Sequence, residues 1–243
     1  MAFELGVSSH TLTIIGRCAE TGYLGVAIAT SPPAVGARCP LVRTNLAAVC
    51  SQAYANPALS RVALDLLEQG HAPDRVLDDI RASDAWAEYR QIGIVDREGR
   101  SAVFTGAQNS DWKGHINDTD FVAMGNYLHG AAAVEATAET FRNSRGEIIE
   151  ERLLWALEAG RDAGGDLDGH ASSALVVHGR DDYPRTDLRV DLFAASESRA
   201  EQDAVDELRR IFTVYRPLIP YYEQRPRNPN IGNWREWLQE QGF

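Results

Sequence analysis

Lysine is almost absent from this chain: Lys113 is the only one, and the rest of the positive charge is arginine. A lysine general base is therefore excluded everywhere except position 113. Cysteine is sparse as well. Cys18, Cys39 and Cys50 form an odd set without CxxC spacing, which points away from a disulfide framework and from a zinc site. Positive charge is in deficit overall, at a net −11. Nucleic acid and anionic membrane both need clustered Lys and Arg, so neither is an expected partner. No apolar run approaches the length that spans a bilayer. Residues 1–10 carry Glu4 and have neither a basic start nor a long apolar core, unlike a secretory signal. The cytoplasm is the expected location. What remains is ordinary for a globular protein: 243 residues, 44% hydrophobic and 24% charged, enough to bury a sizeable core.

Two β-rich runs, 12–17 and 23–31, flank a polar turn carrying Gly22, which is the pattern of a hairpin. Counting back from that turn puts Thr11 at the head of the first strand, opposite or next to Ala29, Thr30 and Ser31. Residues 32–40 read as a turn-rich connection, and 46–50 as a buried strand ending at Ser51 and Gln52. A helix is expected from Asn56 and Pro57 to Leu67, stopped by Gly70, with Pro57 where its missing N–H costs little. A second helix runs from Pro73 to about Ile80. Residues 91–96 and 101–105 flank a turn as a second hairpin. Residues 106–119 are polar, lack a periodic apolar pattern and read as a long loop.

A strand over 121–124 ending at Gly125 and Asn126 follows, then helices over 131–141 and 147–159. A Gly- and Asp-rich loop covers 160–169, strands cover 174–177 and 187–191, and an acidic helix covers 199–215. This order suggests antiparallel sheets covered by helix pairs, an α+β layered domain over 11–195. An extension (1–10) precedes it. A C-terminal helix with an aromatic, Pro-rich tail (196–243) packs on the domain or on a partner subunit, and a homodimer is expected.

The order of short motifs along the chain resembles a known group. They include Thr11-Leu12-Thr13-Ile14-Ile15, Glu20-Thr21-Gly22, Gln52-Ala53-Tyr54-Ala55-Asn56-Pro57, Asp111-Trp112-Lys113-Gly114-His115, Gly125-Asn126, Gly164-Gly165-Asp166 and Asp187-Leu188-Arg189-Val190-Asp191. The series is similar to the domain-of-unknown-function family 1028 of the Ntn-hydrolase-like superfamily, over roughly residues 11–192. An ordered series of this kind is more specific than any single motif. The resemblance implies a four-layer αββα sandwich of antiparallel sheets and cleavage of amide bonds. Relatives commonly begin almost at the residue matching Thr11 and carry Lys or Arg where this chain has Ser31. Here Met1 to His10 precede Thr11, so its nitrogen lies in a peptide bond and cannot serve as the base. Cleavage ahead of Thr11 is not expected, because His10-Thr11 lacks the glycine found before self-processing sites in related enzymes.

The expected activity is hydrolysis of a small, non-peptide amide without a cofactor. Thr11 is the nucleophile; the alternative for it is a β-former at a strand start. Thr13, on the same strand face, is the second choice. Asn126 holds the oxyanion or serves as a turn or cap residue. Ser31 and Asp166 steer protons, although Asp166 could equally bond its own turn. Thr30, Gln52, Asn56 and His115 are placed with the substrate, with helix capping the favoured role for Asn56. Cys50 is an alternative thiol nucleophile against an inert buried residue. His170, Asp166 and Asp168 lack a second histidine at ligand spacing, so no metal is expected. Arg189 reads as a structural ion pair. A binding protein that kept the fold and lost the chemistry is the competing reading.

Overall fold

Alternation in the first hairpin decides the architecture. In β1 (Thr11–Arg17), Leu12 and Ile14 point to one side while Thr11, Thr13 and Ile15 point to the other, as the two-residue period of a strand requires. Every residue of β2 (Leu24–Thr30) is buried, so this hairpin sits in the middle of the protein with cover on both faces. The computed structural model describes residues 11–194 and 203–242.

Two antiparallel sheets are built. The first also contains β7 (Lys113–Asp118), β8 (Phe121–Asn126), β9 (Ser172–His178) and β10 (Pro184–Val190), in the order β10-β9-β2-β1-β8-β7. The second runs β3 (Pro40–Arg43), β4 (Ala47–Ala53), β5 (Arg90–Asp96), β6 (Ser101–Thr105). Helices α1 (Pro57–Glu68) and α2 (Pro73–Ser83) set Leu64, Leu77 and Ile80 against Val49, Ile92 and Ile94 of the second sheet. Helices α3 (Ala131–Asn143), α4 (Ile149–Asp162) and α5 (Ala204–Tyr215) bring Phe141, Leu153 and Phe212 onto Leu12 and Ile14 of the first. Close approach there needs small residues in β1 and β2. A Cβ on Gly16 would lie 2.4 Å from Phe141 Cζ, and one on Gly25 2.7 Å from a Leu153 methyl. A third apolar cluster joins the sheets to each other, with Ile15, Val26 and Val122 from one and Ala48, Cys50 and Val95 from the other.

Two strands depart from the sequence expectation. β7 lies inside the stretch read as a loop, and β3 follows directly on the connection at 32–40. Both are edge strands. An edge strand is solvated along one side, so β7 keeps polar residues and β3 tolerates Pro40 at its first position, and neither carries the apolar alternation that marks an inner strand. The acidic helix begins at Ala204; the start expected at 199 and the extension at 1–10 lie outside the described residues. The tail continues as α6 (Ile219–Gln224) and α7 (Trp234–Glu240), where the Tyr221 ring packs tilted against Trp237 at 5.9 Å between centroids and Trp237 Nε1 donates to the Pro217 carbonyl at 3.4 Å. No helix among the described residues is long and apolar enough to cross a membrane.

Candidate active site

Register carries polar residues into one row at one end of the layer between the sheets. Thr11 pairs with Thr30 on β2 and with Asn126 on β8; Thr30 pairs with Ser172, and Asn126 with Lys113. Directly paired residues point to the same face, so Ser172, Thr30, Thr11, Asn126 and Lys113 form a row across five strands. Two residues further in, the corresponding row is Ala174, Ile28, Thr13, Met124 and His115, and beyond it Val176, Val26, Ile15 and Val122. The other sheet answers in kind. Gln52, Gln91 and Thr105 pair across β4, β5 and β6, followed inward by Cys50, Gly93 and Val103. Polar faces polar at this end, and apolar faces apolar deeper in.

The facing rows are wired together, and backbone carbonyls fix the direction of every bond. Gln91 Nε2 shares its two N–H groups among the carbonyls of Gly114 (3.1 Å) and Gly125 (3.0 Å) and Thr105 Oγ1 (2.8 Å). Its Oε1 must then face the other way, where it accepts from Gln52 Nε2 at 2.7 Å and Asn126 Nδ2 at 3.0 Å. Gln52 Oε1 is left to accept the Thr13 hydroxyl at 2.6 Å. The amide orientations, normally a matter of inference, are thus set by acceptors that cannot flip. Asn126 Oδ1 ends up buried with no partner among the described residues. Thr11 Oγ1 lies 3.2 Å from Thr30 Oγ1, and Thr11 as a whole is only 3% exposed.

The rim of this end is closed by the 160–169 segment. Asp166 Oδ2 accepts the Ser31 N–H at 3.1 Å, its Oδ1 accepts the Asp168 N–H at 2.9 Å, and Asp166 bridges Leu128 just past β8. His115 Nδ1 meets Thr105 Oγ1 at 2.8 Å, and partial desolvation of the ring holds the imidazole below the usual histidine pKa. Of the residues singled out from sequence, Thr11, Thr30, Gln52 and Asn126 lie on the two end rows. His115 lies one row in, and Ser31 and Asp166 sit at the rim. Asn56 stands apart as the N-cap of α1, its Oδ1 accepting the Ala58 N–H at 3.1 Å.

Cys50 is fully buried, and that burial pushes its thiol well above the ordinary value, which suits an inert residue rather than a nucleophile. Lys113 is not free to act as a base, because its Nζ donates to Asp111 Oδ1 at 2.7 Å and to the Asn109 carbonyl at 2.8 Å. His170 Nδ1 pairs with Asp203 Oδ2 at 2.9 Å, and Arg189 pairs with Asp187 at 2.8 Å. Among the described residues no group of three or more His, Cys, Asp or Glu could hold a metal ion. Sequence reasoning missed Gln91 and Thr105. A glutamine at the head of a strand reads as a boundary residue until the sheet opposite is known.

Residues 11–200 match the family model DUF1028, a family of unknown function. Protein SPO2555 from Silicibacter pomeroyi, assigned to the same family, is similar in structure with a TM-score of 0.76 and 29% sequence identity, over 85% of this chain and 89% of that one. Anbu (ancestral beta-subunit) from Yersinia bercovieri aligns over 88% of this chain and 97% of its own at a TM-score of 0.39 and 9% identity, too remote to bear on fold or activity. No curated protein matches the chain.

Proposed function

The chain belongs to the DUF1028 family, and we propose that it is an amidohydrolase of the Ntn-hydrolase-like superfamily that cleaves the C–N bond of a small amide through the Thr11 hydroxyl. The three apolar clusters, one between the sheets and one under each helix group, support reading the fold as a four-layer αββα sandwich. One observation carries the chemical reading: Thr11 stands between Thr30 and Asn126 in a polar row that faces a second polar row. Most of the row is satisfied by hydrogen bonds, but Asn126 Oδ1 is buried without a partner among the described residues, a cost that packing alone gives no reason to keep.

In this mechanism Thr11 Oγ1 attacks the carbonyl carbon and its proton passes through water to Asp166 at the rim. The second N–H of Asn126 Nδ2, which has no partner among the described residues, donates to the oxyanion. The C–N bond then breaks, the amine leaves with the proton, and water hydrolyses the acyl ester on Thr11. Thr30 and Gln52 position the substrate, with His115 behind them. Thr11 is nearly covered, and Asp166 on the turn above it is tied to Ser31 and Leu128. No cofactor takes part. The enzyme works in the cytoplasm as a homodimer that uses the exposed Tyr222 and Trp234 of the tail, and binds neither nucleic acid nor membrane.

The competing reading, a small-molecule-binding protein without turnover, draws on one feature: the only cation on the Thr11 row, Lys113, is already held by Asp111. A panel of small amides incubated with wild type, Thr11→Ala and Cys50→Ala separates the two. The hydrolase reading expects turnover that Thr11→Ala abolishes and Cys50→Ala retains. Turnover that survives Thr11→Ala overturns it, and a ligand that raises Tm without ever being cleaved favours the binding protein.

A further inference from the structure

At the opposite end of β1, about 20 Å from Thr11 at ~3.3 Å per residue, lies a cavity of about 190 Å³ where Arg17, the β7–β8 turn and the α3–α4 connection meet. The Ile15, Val26 and Val122 layer separates it from the Thr11 row. Four of its lining side chains are arginines, in a chain with a net charge of −11. Two are neutralised in place: Arg17 pairs with Asp120 at 2.7 Å, and Arg142 with Asp118 at 2.8 Å.

The other two have no carboxylate in hydrogen-bond contact among the described residues, although Glu20 lies near enough to both to interact through space. Arg152, on α4, is 4% exposed, and no carboxylate among the described residues lies within 4.0 Å of it. Its guanidinium lies 4.1 Å over the Phe141 ring and donates once, to the Phe141 carbonyl at 3.1 Å, while Nε has no partner among the described residues. Burial pulls its pKa down, a desolvation that the more distant charges of Glu20 and Asp120 only partly offset. Arg145 is exposed at the cavity edge and forms no hydrogen bond or ion pair among the described residues. Glu20, the remaining acid on the wall, accepts the Cys18 thiol at 3.0 Å instead of a guanidinium.

A buried guanidinium is costly unless paired, and the group that pairs best with its planar fork is a carboxylate or a phosphoryl oxyanion. We infer that this cavity binds a small oxyanion, the phosphoryl or carboxylate group of a metabolite, held by Arg152 from within and Arg145 from the mouth. The Arg17–Asp120 and Arg142–Asp118 pairs form its walls. The site is independent of the chemistry assigned to Thr11.

Isothermal titration of the full chain with inorganic phosphate, and separately with succinate, at constant ionic strength maintained with chloride, tests the inference. The expected result is saturable binding at one site per chain, weakened about tenfold or more, ~1.4 kcal/mol, by Arg145→Gln. That residue is exposed, so its replacement leaves the fold intact. Arg152→Gln should abolish binding, and Thr11→Ala should leave it unchanged. Tighter binding of phosphate assigns a phosphoryl ligand, and tighter binding of succinate a carboxylate. Heats no different from the chloride control, or wild-type affinity in Arg145→Gln, overturn the site.

Discussion

Replacing Gln91 with leucine tests whether the two sheets are joined by a directed hydrogen-bond network at their polar end. The side chain is fully buried and the change keeps volume nearly constant, so a cavity contributes little. What is lost is the acceptor Oε1, which leaves two buried donors without a partner, together with the Nε2 donor to the Gly114 and Gly125 carbonyls. Gln52 Nε2 and Asn126 Nδ2 each have Oε1 as their hydrogen-bond acceptor and are themselves fully buried. Stranding a buried donor costs roughly 1–3 kcal/mol, so two cost about 2–6 kcal/mol. Thr105 Oγ1 keeps His115 as a partner and adds nothing to the sum. With an m value near ~3 kcal/mol/M for a chain of this size, the urea midpoint should fall by about 0.7–2 M. Adding Gln52→Leu should cost less than the sum of the single changes, since one stranded donor disappears with it. A Gln91→Leu midpoint within about 0.2 M of wild type would mean that Gln91 does not hold the two sheets together.

Other consequences are equally direct. Asn56→Ala removes the α1 cap and should cost about 1 kcal/mol, or ~2–4 °C in Tm, with steady-state kinetics unchanged; a raised KM at unchanged Tm would return Asn56 to the substrate. Arg185→Met leaves the Glu150 carboxylate, 0% exposed, without its 2.7 Å partner. A loss of about 3 kcal/mol, near 6–12 °C in Tm, is expected, and a change under ~2 °C would deny the pair a structural role. Burial raises the Cys39 thiol from 9.0 to about 12. The unfolded chain ionises first, so this contribution is complete below about pH 9 and is lost upward at ~1.4 kcal/mol per pH unit. Cys39→Ala should accordingly flatten the alkaline limb of the stability curve, and an unchanged limb would contradict the shift.

Inner strands were legible because alternation and burial coincide in them. The hairpin of β1 and β2 could be registered from its turn, and Thr11 does pair with Thr30. β3 and β7 were not legible, since an edge strand needs no apolar face. The site was half legible for the same reason. Thr11 and Thr30 are neighbours in one hairpin, so strand counting finds them, while Asn126 and Gln52 stand out as polar residues at strand ends. Gln91 and Thr105 meet the Thr11 row only across the gap between sheets, which no local pattern encodes. Arg152 was hidden differently, because an arginine on an amphipathic helix reads as solvated, and only the packing of α4 against Phe141 buries it.

The central claim is that the oxygen at position 11 becomes covalently acylated. Acid-quenching wild type during turnover of an amide found in the panel, then mapping the digest by mass spectrometry, addresses it directly. An added mass equal to the substrate's acyl group is expected at Thr11 and not in Thr11→Ala. The same adduct on another side chain, or turnover with every peptide spanning residue 11 unmodified under conditions that trap acyl esters, would contradict it.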